Sequence, residues 1–162
     1  MLLDALAVLR DSLSSASLTI VGDGPLRTHL EEQARTYRIA DRIQFLGFRR
    51  DLPDLLASAD IEVVPSRWEG FGLAAIEASA CGLPIIASSV GGLQEAVVDQ
   101  ETGILITPEE PKLLADAMQA LAADRPRRVL FGHAGRRHVE RNFDIKRIAE
   151  RYEEIYESFL RS

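Results

Sequence analysis

The sequence has few of the residues on which several classes of protein site depend. Cys81 is its one cysteine, so neither an internal disulfide nor a zinc cluster of thiolates can form, and nothing indicates an oxidising compartment. Acidic residues outnumber basic ones by 25 to 19, which leaves a formal charge of −6. A nucleic-acid partner would require a basic face to neutralise phosphates. We therefore expect a cytoplasmic protein that does not bind nucleic acid.

Long hydrophobic runs are also lacking. The apolar opening of the chain is interrupted by Asp4, Arg10 and Asp11, and it has neither a basic leader nor the length needed to span a membrane. Hydrophobic residues make up 46% of the chain and charged residues 27%, a composition typical of a folded domain and too apolar for disorder. The length of 162 residues predicts one globular domain.

Short apolar runs alternate with helical periodicity through the first two thirds of the chain. Such alternation is typical of βαβ units, so we expect an α/β fold with an open parallel sheet and helices on both faces. From Pro108 onward the pattern is wholly helical. The domain 1–162 therefore divides into a core at about 1–107 and a helical tail at 108–162. Predicted strands cover 18–21, 43–46, 61–64, 84–87 and 103–106.

The last helical segment is strongly amphipathic. An apolar stripe runs along one face of the predicted helix 144–160, and such a stripe needs something to cover it. It therefore predicts contact with another surface, such as a second copy of the chain in a homo-oligomer. The residues of this stripe are Ile148, Tyr152, Ile155, Tyr156 and Phe159.

The stretch WEGFGLAAIEASACGLP, residues 68–84, carries the most chemical information. It follows a strand and opens a helix, so the backbone N–H groups from about Phe71 to Ala74 should be unpaired and should point out of the carboxyl edge of the sheet. Gly70 and Gly72 remove the side chains that would keep a ligand away from this backbone. Helix N-termini of this kind bind phosphates.

Two glutamates flank this predicted anion site. Glu69 lies in the loop and Glu77 about one and a half turns into the helix, a spacing that lets both face one crevice. A carboxylate can accept hydrogen bonds from two vicinal hydroxyls, so the pair suits a ligand with a diphosphate between two sugars. Glu77 would then hold the ribose and Glu69 the second sugar. The alternative is an ordinary turn with two solvated glutamates.

Other chemically capable residues have simpler interpretations. Cys81 precedes a glycine at a helix end and is expected to be a small packed residue, not a nucleophile. Trp68 is either a platform for a sugar ring or a packing anchor. The arginine pairs at 127–128 and 136–137 are either surface charges or a peripheral contact for an acidic membrane face. Solvated surface positions are expected for His29, His133 and His138.

These residues occur together in a known family. The turn and helix from Glu69 to Glu77, followed by Gly91-Gly92 and Glu95, resemble the C-terminal domain of the group 1 glycosyltransferases, retaining enzymes of the GT-B type (family four in the usual sequence classification). The resemblance covers about residues 1–160. Further matches, in chain order, are Gly22-Asp23-Gly24-Pro25, Phe45-Leu46-Gly47-Phe48, Ala59-Asp60, Ser66, Ala78, Cys81-Gly82, Pro84 and Thr102-Gly103.

The resemblance implies a Rossmann-like domain that holds an activated sugar. The family position of Glu69 contacts the transferred sugar, which would make Glu69 the catalytic residue, and the position of Glu77 binds the ribose. The nucleoside-diphosphate sugar is then a substrate, the base lies near 46–48, and no metal or other cofactor is required. The implied nucleotide-sugar site comprises Gly22, Phe48, Glu69, Gly70, Phe71, Gly72, Leu73 and Glu77.

The sequence also departs from the family pattern. Members open this domain with an additional strand, carry a Gly-Arg turn and a Lys-Gly pair that clamp the diphosphate, and have an N-terminal acceptor domain before it. This sequence begins after those parts. We therefore expect the donor-binding half of a transferase, inactive alone, with an acceptor domain supplied in trans. The alternatives are a non-catalytic binding or interaction module and a truncated domain with an incomplete pocket.

The additional strand lies in the centre of the family's sheet, so its absence should leave a gap between 18–21 and 61–64. Each backbone group left unpaired there would cost about 1–3 kcal/mol. We expect either direct pairing of these two strands in a narrowed sheet or insertion of a segment from a second molecule.

Overall fold

The computed structural model describes residues 1–161, and its elements follow the predicted alternation of strands and helices. The strands are β1 (Leu18–Val21), β2 (Ile43–Gly47), β3 (Glu62–Val64), β4 (Ile85–Ser88) and β5 (Gly103–Ile106), with a short 3-10 helix at Ala40–Arg42. The helices are α1 (Leu2–Val8), α2 (Arg27–Thr36), α3 (Leu52–Ala57), α4 (Leu73–Ala80), α5 (Leu93–Ala96), α6 (Pro111–Ala123), α7 (Arg125–Asn142) and α8 (Ile145–Leu160). Ser162, the last residue of the predicted tail, lies outside the described residues.

The named strands pair in parallel, as predicted, but they form two sheets and not one. β1 pairs with β2, with Leu18 opposite Ile43, and β3, β4 and β5 form a second sheet in that order. Within the described residues no ladder joins β1 to β3. Of the two alternatives expected for these strands, direct pairing is therefore wrong, and insertion of a segment from a second molecule stays a prediction.

α1 packs against the apolar clusters of both sheets. Leu3 and Leu6 belong to the apolar cluster around β1 and β2, whereas Ala5 and Leu9 belong to the cluster around β4 and β5. α1 therefore contributes apolar side chains to the cores of both sheets.

The second sheet is buried on both faces, which confirms the prediction of helices on either side. Ile85 and Ala87 share an apolar cluster with residues of α3, α4 and α5, while Ile86 packs with α1 and α6. All four residues of β4 are buried. A parallel strand in this position needs apolar side chains on both faces, and its sequence is therefore a continuous apolar run rather than an alternating one.

Glu62 is an exception in this apolar sheet. It lies on β3 two residues before Val64, so both side chains extend from the face that α3 and α4 cover. The carboxyl group has no hydrogen-bond or ion-pair partner in the described part of the chain. Burial raises the pKa of Glu62 from 4.5 to about 7, because the charged form loses its hydration.

The C-terminal segment is wholly helical, as predicted, and its first two helices pack against the rest of the domain. α6 packs on α1, and α7 packs on α4 so closely that a Cβ on Gly132 would lie 2.0 Å from the carbonyl oxygen of Gly82. α8 differs from them, because no residue within its bounds is buried and its apolar stripe, Ile155 included, lies exposed. Across residues 1–161, no helix combines the length and the hydropathy that a membrane crossing requires.

Candidate functional site

Apart from Leu73 and Glu77, which lie in α4, the predicted site residues lie in the segments that follow the carboxyl ends of β1, β2 and β3. Gly22 follows β1 and Phe48 follows β2, and the N–H of Gly22 donates to the carbonyl oxygen of Gly47 over 2.7 Å. Phe48 is 80% exposed, so its ring is open to a ligand. The chain then enters α3, whose Leu52 and Leu56 pack on the second sheet. The segment after β2 therefore leads from the first sheet to the second.

The loop after β3 ends in a tight turn, residues 69–72, which we call the Glu69 turn. Gly72 is the N-cap of α4 and has a φ of 83°, in the left-handed region that favours glycine. A Cβ at this position would also lie 3.0 Å from Cδ2 of Leu93. Both the backbone conformation and the available space therefore require glycine here.

The carboxylate of Glu69 folds back over this turn. Its Oε1 accepts a hydrogen bond from the N–H of Gly72 over 3.3 Å, and its Oε2 accepts one from the hydroxyl of Ser66 over 3.4 Å. Both bonds are long, so a ligand hydroxyl can replace either at little cost. Because the amide of Gly72 is already bonded, the prediction of unpaired amides from Phe71 to Ala74 is wrong at this residue.

The N-terminus of α4 still offers unpaired donors. In the part of the chain that the structure describes, the N–H groups of Leu73 and Ala74 have no partner, because the first turn of a helix lacks carbonyl groups four residues earlier. Both residues are exposed. These amides and the positive end of the helix dipole favour an anion at this point.

Glu77 lies one turn further along α4. It is exposed, and its carboxylate has no hydrogen bond or ion pair among residues 1–161. Residues four apart share a helix face and side chains lean towards the N-terminus, so Glu77 extends along the face that carries Leu73. The exposed amides thus have a carboxylate on each side along the chain, Glu69 before them and Glu77 after them.

A second glycine pair holds the Glu69 turn, and the sequence patterns did not predict this role. The N–H of Gly92 donates to the carbonyl oxygen of Glu69 over 3.3 Å. A Cβ on Gly91 would lie 2.0 Å from that same oxygen, and one on Gly92 would lie 2.5 Å from Cα of Phe71. The pattern Gly91-Gly92 directly before a short helix was the available signal, since adjacent glycines permit such close backbone contact.

His138 was also misjudged from sequence. It does not lie free on the surface, because its Nε2 is 2.9 Å from the carbonyl oxygen of Glu95 and its Nδ1 is 3.1 Å from the side-chain amide of Asn142. The imidazole therefore joins α7 to α5, next to the Glu69 turn. His29 and His133 are exposed, as predicted.

Three other expectations have definite outcomes. Cys81 is exposed rather than packed, because it lies on the outer side of the turn that ends α4. Trp68 is 83% exposed and so is not a packing anchor. Arg128 donates to the carbonyl oxygens of Leu121 and Ala122, and it thereby caps the end of α6.

The electrostatic character of the site comes from backbone groups and carboxylates. The nearest arginine in sequence, Arg67, forms an ion pair with Glu109 over 2.9 Å. Within residues 1–161, no three side chains of His, Cys, Asp or Glu come together in a group that could hold a metal ion. The arrangement can bind an anionic group at the end of α4 and hydroxyl groups at Glu69 and Glu77.

Comparison with known proteins agrees with this geometry. The family model described as glycosyl transferases group 1 matches residues 1–138. The lipopolysaccharide core biosynthesis mannosyltransferase LpsB of Rhizobium meliloti is 38% identical over 136 residues, which are 83% of this chain and 39% of LpsB. The chain thus spans well under half the length of this relative.

Solved structures show the same fold. HepE of Anabaena, in complex with UDP, has a TM-score of 0.89 and 29% identity over 97% of this chain and 44% of HepE. The C-terminal domain of the group 1 glycosyl transferase LpcC from Francisella tularensis has a TM-score of 0.80 and 28% identity, and it covers 88% of this chain and 77% of the LpcC domain. The parallel strands, the glycine turn at the head of α4 and these matches agree, and the chain belongs to the group 1 glycosyltransferases as a part the size of their C-terminal domain.

Proposed function

We propose that the chain binds a nucleoside-diphosphate sugar at the Glu69 turn and forms the donor-binding half of a retaining glycosyltransferase. The observation that carries this proposal is the pair of exposed, unpartnered amides at Leu73 and Ala74, with a carboxylate before and after them in the chain. Amides at a helix N-terminus suit a diphosphate, and carboxylates suit the hydroxyls of the sugars on either side of it.

Each group then has a defined role. The diphosphate accepts hydrogen bonds from the amides of Leu73 and Ala74, Glu77 accepts from the ribose hydroxyls, and Glu69 accepts from the sugar that is transferred. The base reaches the segment after β2, where Phe48 provides an exposed ring. Gly22 and Gly70 leave room for the ligand, since a Cβ on either would meet no atom within 4 Å.

The transfer step places developing charge where these amides lie. The bond between the anomeric carbon and the diphosphate oxygen breaks, a bond from an acceptor hydroxyl forms on the same face of the sugar, and the acceptor's proton leaves with the nucleoside diphosphate. Fixed amide dipoles stabilise the departing diphosphate without having to reorient. Glu69 is the catalytic residue of this proposal because it contacts the sugar that moves.

Relatives support the class of donor but not a particular sugar. HepE has been solved with UDP and with UDP-glucose, whereas LpsB is a mannosyltransferase. UDP is therefore a suitable first probe. The acceptor site would come from a separate acceptor domain, and the 162 residues alone should bind the donor without transferring its sugar. The cytoplasmic setting that the sequence suggests stays a prediction.

The donor should bind without a metal ion, because the helix N-terminus provides the positive potential. Titration of the chain with UDP in Mg²⁺ and in EDTA should give the same Kd within about two-fold. A loss of binding in EDTA would show that a cation is needed.

Calorimetry with UDP tests the proposal. Glu77→Ala should weaken binding by about 1–3 kcal/mol, the usual cost of unmade hydrogen bonds to a charged group, whereas Glu32→Ala on the exposed face of α2 should leave the Kd unchanged. An unaltered Kd for Glu77→Ala would reject the ribose role. If the wild-type chain bound neither UDP nor any other nucleoside diphosphate, a truncated domain with an incomplete pocket would be the better description.

A further inference from the structure

We propose that Phe143 is a positioning residue that couples the end of α7 to the Glu69 turn. The proposal rests on the donor-binding role of the turn but concerns residues at the far end of α7. Phe143 is the residue at which α7 ends, and it is remote in sequence from the turn. Its ring contacts Phe71 in the turn and His138 in α7.

The ring of Phe143 lies against the ring of Phe71 in the middle of the Glu69 turn. Their centroids are 5.8 Å apart and their planes make an angle of 75°, an edge-to-face pair within the favourable range. Phe71 is 50% exposed, and its backbone lies between Gly70 and Gly72, two residues without side chains that could anchor it. The contact with Phe143 therefore holds the middle of the turn.

Phe143 is itself held on its other side. The His138 ring lies 5.8 Å from the Phe143 ring, at an interplanar angle of 62°. His138 in turn is bonded to the carbonyl oxygen of Glu95 in α5, and Phe143 packs against the apolar cluster that includes Leu93. The Glu69 turn is thus clamped between Gly92, at the head of α5, and Phe143.

The same residue lies at the break between two helices. Phe143 has a φ of −123°, outside the helical range, and Asp144 then caps α8 by accepting from the N–H groups of Lys146 and Arg147. The ring that holds Phe71 therefore extends from the C-cap of α7, directly before the residue that caps α8. Coupling of this kind is reciprocal, so a ligand that orders the turn also orders the end of α7.

Two measurements on Phe143→Ala test the coupling. Amide hydrogen exchange by NMR should become at least about three-fold faster at Gly92 relative to Ile86, which lies in the buried strand β4 and reports global opening. The Kd for UDP should rise about two- to ten-fold, the range for a lost aromatic pair. Phe143→Tyr, which keeps the ring, should restore both values.

The matched control is Val139→Ala, which removes apolar bulk from the same cluster and the same end of α7 but keeps both ring pairs of Phe143. It should lower stability but leave the exchange ratio of Gly92 to Ile86 and the Kd unchanged. If Phe143→Ala does not fold, Phe143→Leu keeps most of the volume and should show the same directions of change.

The outcomes separate this proposal from the donor-binding one. An unchanged exchange ratio in the Phe143 variants, or the same change in Val139→Ala, would overturn the coupling. Absence of UDP binding by the wild-type chain would count only against the binding of uridine nucleotides. It would leave the role of Phe143 standing, because the exchange comparison needs no ligand.

Discussion

The backbone N–H of Gly92 donates a hydrogen bond to the carbonyl oxygen of Glu69 over 3.3 Å. This bond joins the loop before α5 to the turn before α4, two segments that follow neighbouring strands of one parallel sheet. Ligands bind at this edge of open α/β sheets, outside the carboxyl ends of the strands. The shape of the candidate site therefore depends on a backbone contact between two segments of the chain.

Gly92→Ala should disrupt both the fold of this edge and its binding of nucleoside diphosphates. The added Cβ would lie 2.5 Å from Cα of Phe71, so one of the two loops must move. We expect a loss of about 1–3 kcal/mol of unfolding free energy, the usual cost of overpacking, together with weaker UDP binding. Chemical denaturation and calorimetry measure the two effects. Gly24→Ala, where a Cβ meets no atom within 4 Å, is the control that should change neither.

Gly70→Ala should separate stability from binding. A Cβ on Gly70 meets no atom within 4 Å, so the free energy of unfolding should change by no more than about 0.5 kcal/mol. The methyl group would nevertheless occupy space that the proposed ligand needs, and the Kd for UDP or a UDP-sugar should rise. Full retention of affinity for both ligands would place the ligand elsewhere.

Glu69→Gln should weaken the binding of a UDP-sugar much more than the binding of UDP. The amide side chain keeps the shape of glutamate and can still accept from the N–H of Gly72, so the turn should persist. Hydrogen bonds from sugar hydroxyls to a carboxylate are stronger than those to a neutral oxygen. We expect about ten-fold weaker binding of the UDP-sugar that the wild type prefers and little change for UDP. Equal losses for both ligands would contradict the assignment of Glu69 to the sugar.

Glu62 predicts an unusual dependence of stability on pH. Its pKa is raised to about 7 in the folded protein, so between pH 4.5 and about 7 the folded state holds a proton that the unfolded state has released. Stability should therefore fall as the pH rises through this window, by at most about 3 kcal/mol. Glu62→Gln should remove this contribution and be more stable than the wild type at pH 8.

Denaturation at pH 5 and at pH 8 measures the effect. Glu32→Gln, an exposed position on α2, provides the control and should keep the slope of the wild type. A wild-type stability that rises steadily from pH 5 to pH 8 would contradict the assignment to Glu62.

The unpaired edges of β1 and β3 and the exposed stripe of α8 predict self-association. Strand edges without a partner and exposed apolar surface both favour contact with a second molecule. Sedimentation equilibrium should give a mass that increases with concentration. Ile155→Glu should lower this measured mass, whereas Lys146→Glu, which changes a charge outside the stripe, should leave it unchanged. A monomeric mass at every concentration would exclude both association and an inserted strand from a second copy.

The local elements of this protein were predictable from its sequence because their signals are local. The apolar run of β4 and the glycine before α4 each specify a strand or a helix start from a few adjacent residues. The predicted ligand edge followed from the same information, because every βαβ unit places its loops at the carboxyl ends of the strands. Most of the errors concern contacts between distant segments, such as β1 with β3 and His138 with α5, whereas the bond from the amide of Gly72 to Glu69 is a local side-chain contact.

The sequence by itself determined the parallel α/β architecture, the membership of the family and the residue types of the candidate site, since these depend on periodicity, turn chemistry and motif spacing. Only the tertiary structure decided that no ladder joins β1 to β3 within the described residues, that Gly92 bonds to Glu69 and that Phe143 holds Phe71. The physical reason is that these features depend on which segments come within a few ångströms of each other, and such proximity leaves no periodic pattern in the chain.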